Sequence, residues 1–143
     1  MPILHQAQIF LPMLVVVALT FLAFVRMAAG RAGAMKGGQD PTYYRAYTGS
    51  PEPEAARVGA RHWDNLFELP TLFYAGCITA FVLGAVGKWT LVFAWAYVVA
   101  RIVQSLIHLS YNNPAHRGGA FVVGVLFVLA LWIAIARTVF AAL

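Results

Sequence analysis

Four apolar runs, at about residues 9–29, 66–86, 89–109 and 120–140, constrain this chain more than any other feature. Each holds about 20 residues, the length at which an α-helix rising 1.5 Å per residue crosses a hydrocarbon core of about 30 Å. In lipid, every backbone N–H and C=O of a spanning segment must be satisfied internally, so such runs fold as helices. With 62% hydrophobic and 10% charged residues among 143, nothing is left over for a separate soluble domain. The fold class expected is all-α: an integral membrane four-helix bundle forming a single domain over residues 1–143.

The first run could be mistaken for a secretory signal, but no Lys or Arg precedes it and it is longer than a signal's apolar region. Residues 30–52 are read as a polar loop, rich in Gly, Tyr and charge. Ser50-Pro51-Glu52-Pro53-Glu54 then has the form of a helix start, with Ser50 as N-cap and acidic residues near the positive end of the helix dipole. A helix from about Pro53 to Val86 would be about 50 Å long. Its first three turns therefore project from the membrane, and Pro70 kinks it. Gly87-Lys88-Trp89 makes a tight turn with an interfacial Trp, and residues 111–119 make the last turn.

The basic residues mark orientation. Arg26, Arg31, Lys36, Arg45, Arg57 and Arg61 surround the first loop and Arg117 follows the third run, against Lys88 and Arg137 on the other side. Both basic loops are expected in the cytoplasm and both termini on the non-cytoplasmic side, of what we read as a bacterial inner membrane. The net charge of +5 fits loops meeting anionic lipid. It does not fit a nucleic-acid partner, for which no basic face interleaved with aromatic residues exists. Cys77, alone and within an apolar run, is read as a packing residue. No set of metal ligands is expected, with His5, His62 and His116 in terminal or loop positions.

Two polar stripes interrupt the hydrophobic pattern. Arg57, Arg61, Asn65, Glu68 and Leu72 recur on one narrow face leading into the second run, and Tyr97, Arg101, Gln104, His108 and Tyr111 recur on one face of the third. Arg101 stands near mid-membrane, where facing lipid would cost at least about 2.5 kcal/mol, so it faces protein, water or an anion. Antiparallel neighbours joined by a short turn pack together, and counting back from Gly87–Trp89 puts Glu68 and Arg101 about 10 Å out of register. Gln104 and His108 match the depth of Glu68 better. The stripes are read as opposing walls of one cavity that opens to the cytoplasm. The alternative is that their polar side chains simply join helices. Arg26, in the last turns of the first run, either snorkels to the interface or turns toward the same cavity. Gly76, Ala80 and Gly84, spaced every fourth residue, offer a groove for close helix approach.

The order Arg61-x-x-x-Asn65-x-x-Glu68, then Pro70 and Phe73, with Arg101 in the third run and Arg117 after it, resembles the MAPEG family, membrane-associated proteins of eicosanoid and glutathione metabolism. The segment from Asn65 to Tyr74 is similar to its short bacterial branch. The resemblance covers nearly the whole chain. It implies a homotrimer of four-helix subunits with glutathione bound between subunits from the cytoplasmic side. Arg26, Arg61, Asn65, Glu68, Arg101 and Gln104 would line the glutathione site, and Arg117 and His108 would lie nearest the thiol. A guanidinium that moves a thiol from its free pKa of about 8.5 to about 6 favours the thiolate by about 3.4 kcal/mol. The reaction implied is that of a glutathione transferase or peroxidase acting on lipophilic electrophiles. The chain departs from catalytic relatives at His108, where they carry Tyr, and at Gly118, where some carry Ser. These departures keep a second reading open, a non-catalytic lipid-binding or accessory subunit of a larger membrane complex.

Overall fold

The computed structural model describes residues 3–143, and it is helical throughout. A short α1 (Ile3–Gln6) and a 3-10 turn (Ala7–Ile9) lead into α2 (Phe10–Lys36); α3 (Tyr43–Ala46) lies in the first connection. Then follow α4 (Glu54–Asn65), α5 (Leu69–Val82), α6 (Lys88–Leu109) and α7 (Pro114–Ala141). Four stretches are long and apolar enough to cross a membrane: Ala7–Lys36, Glu54–Val82, Lys88–Leu109 and Pro114–Ala141. The core is a cluster of Ile9, Val16, Phe73, Cys77, Ala80, Tyr97, Val98, Val128, Leu131 and Ile135, drawn from every spanning stretch. Large apolar side chains such as Phe21, Leu22, Val82, Leu106 and Phe140 are exposed on the outer faces, as a surface that meets lipid or another subunit requires.

Several boundaries differ from the sequence expectation. Residues 30–36, read as loop, continue α2 to Lys36. Gly30 lies within the helix, and its missing side chain lets α4 approach: a Cβ there would lie 3.3 Å from the Ala56 Cα. The stop comes at Gly37 and Gly38, where Gly38 takes φ +93° and Gln39 N–H bonds the Ala34 carbonyl, a left-handed helix end that glycine adopts without strain. The rest of the connection is ordered too. Tyr43 packs edge-on against Tyr44 and Tyr47, and the Tyr44 hydroxyl donates to Glu52 at 2.8 Å. Arg31 lies over the Tyr44 ring and 4.0 Å from the same carboxylate.

Ser50 is not a cap: α4 begins after Pro53, with no side-chain cap bond. Nor is the second stretch one kinked helix. Residues 66–68 tighten into a turn, with Leu66 and Phe67 N–H bonding the carbonyls of Trp63 and Asp64, and Glu68 leaves helical dihedrals; Pro70 sits in the first turn of α5. That is the position where its missing N–H costs nothing. The Thr71 hydroxyl donates to the Phe67 carbonyl at 2.6 Å.

The second span packs on the third as expected, through Phe73 on Tyr97 and through α4, but its two halves also take different partners. α4 packs on α2 and reaches α6, whereas α5 leans on α7. Gly76 makes that second contact possible, since a Cβ would stand 3.2 Å from Leu131 and 3.3 Å from the Trp132 indole nitrogen. Gly84, expected on the same groove, instead takes φ +63° beyond the end of α5. At the turn into α6, Gln6 accepts from Val86 N–H at 2.9 Å. The last turn is shorter than expected, because Asn113 caps α7 from Pro114 by accepting from the N–H groups of Ala115 and His116.

Candidate functional site

The buried face of α4 carries small residues, Ala56 and Gly59, with His62. They let the helix lie close on α2: a Cβ on Gly59 would be 3.4 Å from the Met27 Cα. Burying this face turns Arg57 and Arg61 outward, where both are exposed. The first stripe is therefore not a wall facing the third span along its length. Only its end, Asn65 and Glu68, turns toward α6 and α7.

Arg101 is 2% exposed and fixed by two bonds within the protein. Its Nη1 donates to the Gln104 side-chain oxygen at 2.5 Å, and its Nη2 to the Asn65 backbone carbonyl at 2.6 Å. That carbonyl ends α4, so the guanidinium supplies a donor and a positive charge where the helix leaves its last C=O groups unpaired and its dipole negative. No Glu68–Arg101 ion pair forms; among the described residues the ion pair present is Arg31–Glu52. The register mismatch is thus resolved by bonding the backbone one turn earlier than the carboxylate.

Residues of the polar stripes line two separate cavities beside α6, in place of the single one expected. One, of about 210 Å³, is lined by Asn65, Glu68, Gln104, Pro114, Arg117, Gly118 and Phe121. It gathers four of the residues singled out in the sequence from three elements: the α4–α5 break, α6 and α7. Arg117 reaches it because α7 starts at Pro114, and its Nη1 is oriented by a 2.9 Å bond to the Asn112 side chain. The other, of about 480 Å³, lies among α2, α4 and the end of α6, and its lining includes Arg26, Glu54, Val58, His108, Tyr111 and Asn112. Arg26 and His108 thus line a different cavity from Arg117, and Arg61 lines neither.

His62 is the residue that sequence reasoning misplaced. It is a buried α4 residue, not a loop residue: its Nε2 shares a 2.9 Å hydrogen bond with the Ser105 hydroxyl, and its ring stands 5.3 Å from that of His108. Its spacing of three residues from both Gly59 and Asn65 was the available signal. Among the described residues, no group of three or more His, Cys, Asp or Glu could hold a metal ion.

Four apolar helical stretches around a buried, internally bonded arginine define an all-α integral membrane protein. The family model described as MAPEG family matches residues 9–137. The chain therefore belongs to the MAPEG family of membrane proteins, associated with glutathione and eicosanoid metabolism. Comparisons with curated proteins and with solved structures gave no match.

Proposed function

We propose that the chain binds glutathione at a cytoplasm-facing interface between the subunits of a homotrimer and uses it, as a transferase or peroxidase, on lipophilic electrophiles. The observation that carries this reading is the convergence of Asn65, Glu68, Gln104 and Arg117 on one cavity. Their chemistry suits a peptide with an ammonium, two carboxylates, two amides and a thiol. Glu68 would accept from the ammonium, Asn65 and Gln104 would bond the amides, and Arg117 would face the thiol. At about 210 Å³ the cavity is below the range of about 300–1,000 Å³ typical of small-molecule sites. Exposed Arg61, one turn before Asn65, leaves a carboxylate-binding edge for a second subunit to close. The short bacterial branch of the family, the bacterial inner membrane and non-cytoplasmic termini belong to the same proposal.

Glutathione, when bound, supplies the nucleophilic sulfur. Arg117 favours its thiolate by charge, with Asn112 holding the guanidinium in place. Arg101 acts through Asn65 and Gln104, since both of its Nη groups are engaged. Thermal unfolding in detergent tests the reading: glutathione should raise Tm, Glu68→Gln should weaken that shift, and Arg117→Ala should abolish turnover of a generic electrophile. No stabilisation at millimolar glutathione would sink it.

A second reading, a non-catalytic lipid-binding or accessory subunit, is favoured by one observation. His108, which stands where catalytic relatives carry Tyr, lines the other cavity. Copurification of a stoichiometric partner or lipid, with no turnover, would support it.

A further inference from the structure

Contacts between α4 and α6 fall in a ladder. The Val58 backbone meets the His108 ring, the His62 Nε2 shares a 2.9 Å bond with the Ser105 hydroxyl, and the Asn65 carbonyl accepts from Arg101 at 2.6 Å. Steps of four and three residues on α4 answer steps of three and four on α6, as antiparallel helices require, and successive rungs stand about 5 Å apart along the axis. In the outer and inner rungs α4 offers only backbone, which any residue could supply at any register. His62 alone brings a side chain of α4 to the ladder, and so fixes which residue of α4 stands opposite Ser105.

That choice decides what reaches the smaller cavity. Asn65 and Glu68 line it, whereas Leu66 and Phe67 between them line a separate apolar cavity of about 320 Å³ together with Val17, Phe21 and Tyr74. Turning α4 by one residue, about 100°, would carry Asn65 away from Gln104 and swing Leu66 toward it. His62 and Ser105 are both buried, at 4% and 5% exposure. A neutral hydrogen bond of this kind adds little net stability inside a membrane protein. What it adds here is direction.

We propose that His62, paired with Ser105, is a positioning residue of the smaller cavity: it sets the rotation and depth of α4 so that Asn65 and Glu68 face Gln104 and Arg117. The proposal rests on the glutathione reading of that cavity. His62 lines neither of the two cavities that hold stripe residues, so it acts on the ligand only through α4.

Glutathione affinity and Tm, measured side by side in detergent, test the assignment. His62→Leu combined with Ser105→Ala replaces both partners by apolar groups and leaves neither unpaired, so its Tm should stay close to that of the parent. Its dissociation constant for glutathione should nevertheless rise about tenfold, the scale of one hydrogen bond to a charged group. His62→Gln, whose terminal amide reaches the place of the ring Nε2, should restore the parental affinity. Trp132→Phe, which loses a 3.1 Å bond to the Leu72 carbonyl away from the ladder, should lower Tm slightly and leave affinity unchanged. Parental affinity in the double variant, or affinity that simply follows Tm across the whole set, would overturn the proposal and leave the glutathione reading standing. Absence of glutathione binding by the parent would overturn both.

Discussion

α4 and α5 are two halves of one membrane-length stretch, and they are held in place by different physics. α5 sits in apolar packing: Phe73 lies 4.4 Å from the Tyr97 ring, Cys77 and Ala80 are fully buried, and Gly76 meets Leu131 and Trp132. α4 is held by backbone-to-backbone approach on α2 and by a few polar bonds to α6, through His62–Ser105 and Arg101–Asn65. Dispersion contacts are individually weak and numerous, so losing one matters little. A polar bond in a water-poor interior has no substitute when it is removed. The half that ends at Asn65, in the wall of the smaller cavity, is thus the half tied to α6 by individual polar bonds.

Arg101→Ala should break this difference most severely. It removes two charge-assisted bonds and leaves the Asn65 carbonyl and Gln104 without their donor, for a loss on the order of 3 kcal/mol. Thermal unfolding in detergent measures it, and Arg101→Lys, which offers a point charge instead of a fork, should recover only part.

The glycines of α2 give the next effect. Gly30→Ala pushes a methyl group into the Ala56 backbone at 3.3 Å, whereas a Cβ on Gly33 meets nothing within 4 Å. The first should cost about 1–3 kcal/mol by overpacking, and the second should be neutral or gain up to about 1 kcal/mol from helix propensity. Equal Tm values for the two variants would contradict the close α2–α4 seam.

Single hydrogen bonds sharpen the comparison on a smaller scale. Ser105→Ala removes the His62 partner on the α4 side, and Trp132→Phe removes the 3.1 Å bond to the Leu72 carbonyl on the α5 side. Each bond is worth about 0.6 kcal/mol on average within membranes. The Ser105 change should nevertheless cost more, because it leaves a buried ring nitrogen unpaired while the carbonyl of Leu72 lies in an intact helix.

The smallest effect lies in the first connection. Burial, and then the hydrogen bond to Glu52, hold the Tyr44 hydroxyl above the usual tyrosine pKa of 10.0. A raised acid pKa favours the neutral form in the fold. The contribution is therefore complete below the ordinary tyrosine value and is lost as pH rises through the raised one. Ultraviolet titration should show one fewer late-ionising tyrosine in Tyr44→Phe than in the parent, with a stability change of about 0.5 kcal/mol, the low end for a single hydrogen bond.

Hydrophobic run length determined the number of spans, the helical class and the embedding in a membrane, because lipid leaves a long apolar segment no other way to satisfy its backbone. The order Arg61, Asn65, Glu68, Pro70, Arg101 and Arg117 was likewise enough to place the chain in its family. It was the tertiary structure that decided which way each polar group points. Gly30, Gly59 and Gly76 read alike in sequence, yet they meet different partners: Ala56, Met27, and Leu131 with Trp132. In the packed bundle Arg57 and Arg61 stand outside and His62 inside, Arg101 bonds a backbone carbonyl in place of a carboxylate, and the stripe residues line two cavities instead of one. Periodicity places residues on a face; which neighbour that face meets depends on contacts made by residues far apart in the chain.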